Sequence, residues 1–295
     1  MIRKIFLIAG ENFSGRHRNV RIWLTFALGL VLCLMLSEQM LSRAQTYETP
    51  IQMFEPFIWT FGNGQSVLLS TLLLLILFAD MPFFDQTAPY RLVRMERGIW
   101  LAGQVLYVAL AVAVYDLFLL IAEALIAMPF AYGGNVWSET SAAFAYSGEG
   151  LLGVPVSLKT MEISTPYGCM AQVFLLMLLY SLFLASLMLF LNLTWGNAAG
   201  VLGALLVNLY GYLLDPELIR QIFHIPSGVL YRANVLCGWL SPLNHATFPM
   251  HNFGYDYLPG IGMSAGFFLV CTGLFLGLSV SRMKKYNFIF AQVEE

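Results

Sequence analysis

Six apolar stretches, each close to the length that crosses a bilayer, punctuate this chain of 295 residues. They are Ile22 to Leu36, Ser66 to Phe84, Ile99 to Met128, Met170 to Leu193, Gly200 to Leu214 and Ile261 to Val280, and they carry almost no charge. A bilayer core of about 30 Å takes roughly 20 apolar residues in helical form. Lipid offers no partner for an open backbone N–H or C=O, so a spanning segment of this kind must be a helix. The sequence therefore reads as an all-α polytopic membrane protein with six transmembrane helices. Composition agrees, with 59% hydrophobic and 11% charged residues, where a soluble domain carries about 25% charged residues. A soluble bundle would show a polar face on its helices. The runs Leu72 to Phe78 and Leu175 to Leu193 show almost none.

The basic residues are distributed unevenly. Arg3, Lys4, Arg16, Arg18 and Arg21 precede the first stretch, Arg91, Arg94 and Arg97 lie between the second and third, and Arg282, Lys284 and Lys285 follow the last. The alternate segments hold only Arg43, Lys159, Arg220 and Arg232. By the positive-inside rule both termini and the 85–98 loop are cytoplasmic, and six spans agree with two ends on one side. The expected location is a cell membrane, crossed several times. Basic residues, an apolar run, Ser42 and Ala44 imitate a secretory leader, but the long basic part favours an uncleaved span over Ile22 to Leu36 or onward to Met40.

The chain reads as one transmembrane domain over 1–295. Within 1–21, Ile2, Ile5, Phe6, Ala9 and Phe13 fall near one helical face, which suits a helix lying in the cytoplasmic interface. The segments 129–168 and 215–260 are expected outside the cell. The second holds apolar runs too short to span, broken by Pro226, Pro242 and Pro249, and reads as amphipathic or re-entrant helices before the last span. Residues 38–65 form an outer loop with Glu38, Glu48 and Glu55, and Asn192 to Asn197 make a tight inner turn. The sequon Asn192-Leu-Thr194 is then on the wrong side for glycosylation.

No phosphate loop, zinc-protease motif or nucleophile elbow occurs, so the chain reads as carrying no catalytic or nucleotide-binding site of those kinds. His224, His245 and His251 follow no recognised metal-ligand spacing and read as interfacial polar residues, so no metal site is expected. Cys169 and Cys237 fall toward the same side, where they either pair or stay free. Asp116 and Glu123 are the costliest residues of the spans. Seven apart, they share a face. Each lines a translocation path or binds a cation, or else is packed against a hydroxyl, amide or Arg of a neighbouring helix. Asn208, in the fifth stretch, joins them as an intramembrane polar candidate, with helix packing as its other reading.

The inner loop from Asp85 to Trp100 places Arg91, Arg94 and Arg97 three apart, with Tyr90, Leu92 and Val93 as apolar contacts. A short helix starting near Ala88 or Pro89 fits, and so does a plain topogenic loop. Phe78-Ala-Asp-Met-Pro-Phe-Phe-Asp85, Arg91-Leu-Val-Arg94 and Trp100-Leu-Ala-Gly-Gln-Val-Leu106 resemble the permease subunits of ABC-2 type ABC exporters. The interfacial N-terminus, six spans, basic loop and proline-broken segment add to the resemblance, which covers nearly the whole chain. The resemblance implies an elbow helix at the N-terminus. It also implies a coupling helix over 86–97, so that Gln86, Tyr90, Arg91, Leu92, Arg94 and Arg97 would dock on a separate ATP-binding subunit. Two such ATPases would hold the ATP and Mg, with no cofactor on this chain and no nucleic acid. A second permease, identical or homologous, would complete the assembly within membrane lipid, and the cargo would be an amphipathic peptide, lipid-like compound or drug. Against this stands a membrane-embedded immunity, sensing or assembly protein without transport. An intramembrane enzyme would need polar residues converging from several spans, and a secondary transporter an inverted repeat, which the sequence lacks.

Overall fold

A computed structural model describes residues 1–16, 19–83, 96–147, 156–254 and 256–286. The chain runs through α1 (Ile2–Arg16), α2 (Val20–Tyr47), β1 (Ile51–Gln52), α3 (Glu55–Phe61), α4 (Gly64–Phe78), α5 (Arg97–Ala127), β2 (Ala131–Tyr132) and α6 (Glu139–Ser147). It continues through α7 (Leu158–Ile163), α8 (Pro166–Trp195), α9 (Asn197–Leu213), α10 (Pro216–Ile222), α11 (Leu230–Leu240), α12 (Pro242–Ala246) and α13 (Ile261–Met283). The structure is mostly helical; β1 and β2 add a two-residue parallel pairing with Ile51 opposite Ala131.

Four helices are long and apolar enough to cross a membrane: α2, α5 with its 3-10 extension to Phe130, α8 and α13. Two bent pairs raise the number to six if each counts as one span. Glu55–Phe61 meets Gly64–Phe78 at 85°, and Ala198–Leu213 meets Pro216–Ile222 at 83°. The exterior fits a membrane protein: α2 exposes Trp23, Leu24, Val31 and Met35, and α13 exposes Leu269, Val270 and Leu274. In water such continuous apolar faces would drive association.

The central helix is α8, which packs against α13, α9, α5, α3, α12 and α4. It turns into α9 through Gly196, whose φ of 96° is open to glycine and strained for other residues. Bulk around α8 is aromatic, with Tyr180 and Phe183 stacking on each other and tilting against Phe268. At one end of the bundle, here the α1 end, α1 crosses α5. The sequence expectation for α1 changes in detail. Ile8 and Ala9 are buried with Asn12, whereas Ile2 and Phe6 are exposed. The reason is a gap in the neighbouring helix: Gly103 has no side chain, and a Cβ there would lie 2.6 Å from the Ile8 Cβ.

At the opposite, far end the chain is more ordered than the expected loops. The helix α2 runs 28 residues to Tyr47, well past Leu36, and α3 is buried at every position. The segment 38–65, expected as a plain loop, is therefore a helix end, a paired strand and a buried helix. The carboxylate of Glu55 explains why. Ser138 N–H donates to its Oε1 at 2.7 Å, Ser138 Oγ donates to Oε2 at 2.5 Å, and Gln52 N–H donates to Oε2 at 3.2 Å. Trp59 lies against Trp137 with ring centroids 5.2 Å apart and donates to Ser141 Oγ at 3.0 Å. All four cysteines are free thiols, and Cys237 donates to the Leu214 carbonyl at 2.7 Å.

Candidate functional site

The buried face of α5 organises the polar interior. Asp116 and Glu123 are both fully buried, two turns apart on that face. Counted at 1.5 Å per residue, Asp116 sits roughly 29 Å from the α1 end of α5 and about 17 Å from its other end. The two acids have different surroundings. Thr60 Oγ1 donates to Glu123 Oε1 at 3.4 Å, while Ser37 and Cys33 of α2 face the same carboxyl. Glu123 Oε2 has no hydrogen-bond partner. Glu123 thus sits where α2, α3 and α5 meet.

Asp116 is more isolated. Neither carboxyl oxygen has a hydrogen-bond partner, although Ser181 of α8 faces it. Around this level four helices place polar groups in the interior. Tyr115 Oη donates to the Ser70 carbonyl at 3.0 Å. Tyr180 Oη donates to Asn208 Oδ1 at 2.8 Å, and Thr71 Oγ1 donates to the same oxygen at 3.1 Å. Asn208 Nδ2 is left without a partner. So α4, α5, α8 and α9 contribute Thr71, Asp116, Tyr180 with Ser181, and Asn208 to one polar seam. Chemically the seam offers one carboxyl with two open lone-pair faces and one amide donor, able to hold a proton or a cationic group.

Sequence reasoning found Asp116, Glu123 and Asn208 but missed Thr71, Tyr180 and Ser181. The available signal was their position: each is a hydrogen-bonding side chain near the middle of an otherwise apolar stretch. Asn208 has both a site neighbourhood and a packing role, because it joins α9 to α4 and α8.

A second constellation lies at the α1 end, around residues 80–83 and Arg97. Gln86, Tyr90, Arg91, Leu92 and Arg94 fall outside the described residues. Their flanks are well defined. Asp80 forms an ion pair with Arg21 at the start of α2. Asn192 Nδ2 donates to the Met81 carbonyl at 2.7 Å, and Gly200 N–H donates to Asn192 Oδ1 at 2.8 Å. Asn192 is thus a buried bracket between the Met81 backbone and the α8–α9 turn. Gln104 of α5 pairs with both backbone groups of Phe83. On the return side, Arg97 donates to the carbonyls of Lys284 and Tyr286, each at 3.0 Å, past the end of α13. Expected as part of a docking surface, Arg97 makes these contacts within its own chain.

The far end holds the histidines. His245 and His251 are buried. Burial lowers the pKa of both below the ordinary histidine value, because the charged form loses solvation. Among the described residues no group of His, Cys, Asp and Glu has an arrangement able to hold a metal ion. Cavities open at this end. One of about 530 Å³ is lined by Ile225, Tyr231, Arg232, Val235, Leu236 and Tyr257. Another of about 460 Å³ lies between Ala44–Pro50 and Pro129–Ala131.

Comparison of the chain with family models, with curated proteins and with solved structures gives no match.

Proposed function

We propose that this chain is the transmembrane permease subunit of an ATP-driven exporter of the ABC-2 type. In this reading it crosses a bacterial plasma membrane six times, each bent pair counting as one span. The α1 end faces the cytoplasm, and α1 acts as an elbow helix in the interface. The segment 84–95 serves as the coupling element for a separate ATP-binding subunit, two copies of which face a pair of permeases. The short helices α11 and α12 form the outer, re-entrant part before the last span.

The observation that carries the reading is the anchoring of that segment's two ends. Asp80, Met81 and Phe83 are held by α2, α8 and α5 respectively, and Arg97 is held to the end of α13. A displacement imposed on the intervening residues is therefore delivered to four long helices at once, through hydrogen bonds rather than through a slack tether. Switching between inward and outward states by a lever needs such a linkage. The cavity beside Arg232 is mostly apolar with one cationic group, which suits an amphipathic cargo. ATP and Mg would belong to the partner, as no phosphate loop occurs in this sequence.

The test is purification from native membranes without crosslinking, followed by identification of what remains bound. A protein with a phosphate loop, present in about equal amount and with ATPase activity that rises in the complex, supports the reading. Recovery of the chain without any ATP-binding protein overturns it in favour of a sensing, immunity or assembly role.

A further inference from the structure

The outer end of α13 meets the α11–α12 corner through three polar side chains. Ser264 Oγ lies 2.8 Å from His245 Nδ1 and 2.9 Å from His251 Nε2. The second nitrogen of each ring faces only carbonyl oxygen. His245 Nε2 is 3.1 Å from the Trp239 carbonyl, and His251 Nδ1 is 3.0 Å and 3.1 Å from those of Thr247 and Phe248. All three side chains are buried.

These contacts can be counted in hydrogens. Both rings have two engaged nitrogens, so the cluster has four contacts if the paired carbonyls at His251 count as one. Each contact needs one hydrogen between its heavy atoms. Two neutral imidazoles supply one each and the serine hydroxyl supplies one. That is one short, whichever tautomers are drawn. With neutral rings, some pair of lone pairs must face each other at hydrogen-bond distance in a buried site, which costs about 1–3 kcal/mol. One added proton completes the set: an imidazolium donates to Ser264 Oγ, and Ser264 donates to the other ring.

We propose that His245, Ser264 and His251 form a binding site for a single proton, shared between the two rings through the serine hydroxyl. The ring of His245 also stacks on Phe267, centroids 4.8 Å apart and 21° between planes, which favours a cationic ring over a neutral one. The acid nearest in sequence, Asp256, is paired with Lys159. The helices packed on α12, namely α4, α8, α9, α11 and α13, contain no Asp or Glu. Their arginines are Arg232, against Tyr231 on α11, and Arg282, at the opposite end of α13. Cys237 and Tyr180 are occupied as donors to Leu214 and Asn208, and Tyr210 reaches the Leu240 carbonyl at 3.5 Å. The charge acting on His251 is that of His245. Burial opposes the first proton, and the missing hydrogen favours it. Both burial and the first charge oppose the second.

The experiment follows the ring nitrogens of histidine by NMR in the full chain, labelled and held in lipid nanodiscs. Signals are assigned with His245→Gln and His251→Gln. The expected result is one coupled titration in which the pair takes up a single proton, the second entering at least about two pH units lower. Ser264→Ala removes the shared hydroxyl, leaving two ring hydrogens for two carbonyl contacts. It should lower the first midpoint by about one unit or more, a tenfold loss of proton affinity. Ser264→Thr keeps the hydroxyl and should keep the midpoint. His251→Phe leaves two contacts and two hydrogens, and should lower the midpoint of His245 likewise. Independent titration of the two rings, or a first midpoint unmoved in both Ser264→Ala and His251→Phe, overturns the proposal.

Discussion

Gln104 and Phe83 pair as two strands of a sheet would, side chain against backbone. Phe83 N–H donates to Gln104 Oε1 at 3.4 Å, and Gln104 Nε2 donates to the Phe83 carbonyl at 3.3 Å. Phe83 is buried, with its ring 5.2 Å from that of Tyr107. The last described residue before 84–95 is thus fixed to α5 in position and direction.

Removing that pairing should uncouple the loop from the spans. Gln104→Leu keeps bulk but removes both of these hydrogen bonds to the Phe83 backbone, at about 0.5–1.5 kcal/mol each. Thermal unfolding in detergent should show the loss of stability. In reconstituted complexes, ATP hydrolysis should persist while transport falls. Transport equal to that of the unaltered chain would show that the Phe83 anchor carries no motion.

Asp116 offers a test in which stability and activity move in opposite directions. Its two carboxyl oxygens are buried without hydrogen-bond partners, which is a cost to the fold. Asp116→Leu should therefore raise thermal stability, by about 1 kcal/mol, and abolish transport in vesicles. Asp116→Asn should change stability little and reduce transport. A clear drop in stability for Asp116→Leu would mean the carboxyl is held for packing.

The seat of α1 rests on a missing side chain. Gly103→Val places branched bulk where a single Cβ already lies 2.6 Å from Ile8. Overpacking of this kind costs about 1–3 kcal/mol. The variant should release α1 to protease while the spans stay folded. Gly10→Ala, on the same helix but with nothing within 4 Å of the added carbon, should be neutral or slightly stabilising. Equal protection of the two variants would remove Gly103 as the seat.

Acid should weaken the far end. Burial lowers both His245 and His251 below the ordinary value of 6.5. The folded pair takes up one proton where two unfolded imidazoles take up two, so below about pH 6.5 the unfolded chain binds more protons and stability is lost as pH falls. The unfolding temperature should drop between about pH 6.5 and pH 5. A His245→Gln, His251→Gln double variant should lose that part of the slope while retaining whatever the carboxylates contribute. An identical slope in the variant would assign the acid sensitivity elsewhere.

Orientation is checked with single cysteines and an impermeant maleimide on intact cells. Tyr257→Cys, at a position 81% exposed, should label, and Ile2→Cys, at one 71% exposed, should not. The reverse pattern would invert the proposed topology and remove the loop from the cytoplasm.

The long helices were legible because apolar length is itself the signal. Ile99 to Met128 and Met170 to Leu193 fall within one to four residues of α5 and α8 at each end. The α2 end was not legible, since Ser37, Glu38 and Gln39 look like an exit from lipid while Ser37 and Met40 are buried. The helix α3 was hidden because its seven residues are buried all round and show no periodicity to read. For the site, Asp116 and Glu123 stood out as charges, because a charge in an apolar run is expensive wherever it points. Tyr180, Thr71 and Ser181 did not, because hydroxyl groups are cheap there and only tertiary packing sets them beside Asn208 and Asp116. The histidine cluster was missed for a related reason. Spacing in sequence says nothing of Ser264, which reaches the pair from another helix.

Glu55 fixes an order of events during biogenesis. Its partner Ser138 lies 83 residues later in the chain, and Trp59 waits for Ser141, 82 residues on. Those partners are synthesised only after α5 has been made. Until then a segment opening with a carboxylate has no hydrogen-bond donors from Ser138 to compensate its burial. The far end of this protein can therefore be completed only after residue 138 has been made, because its buried carboxylate takes two hydrogen bonds from a serine 83 positions on.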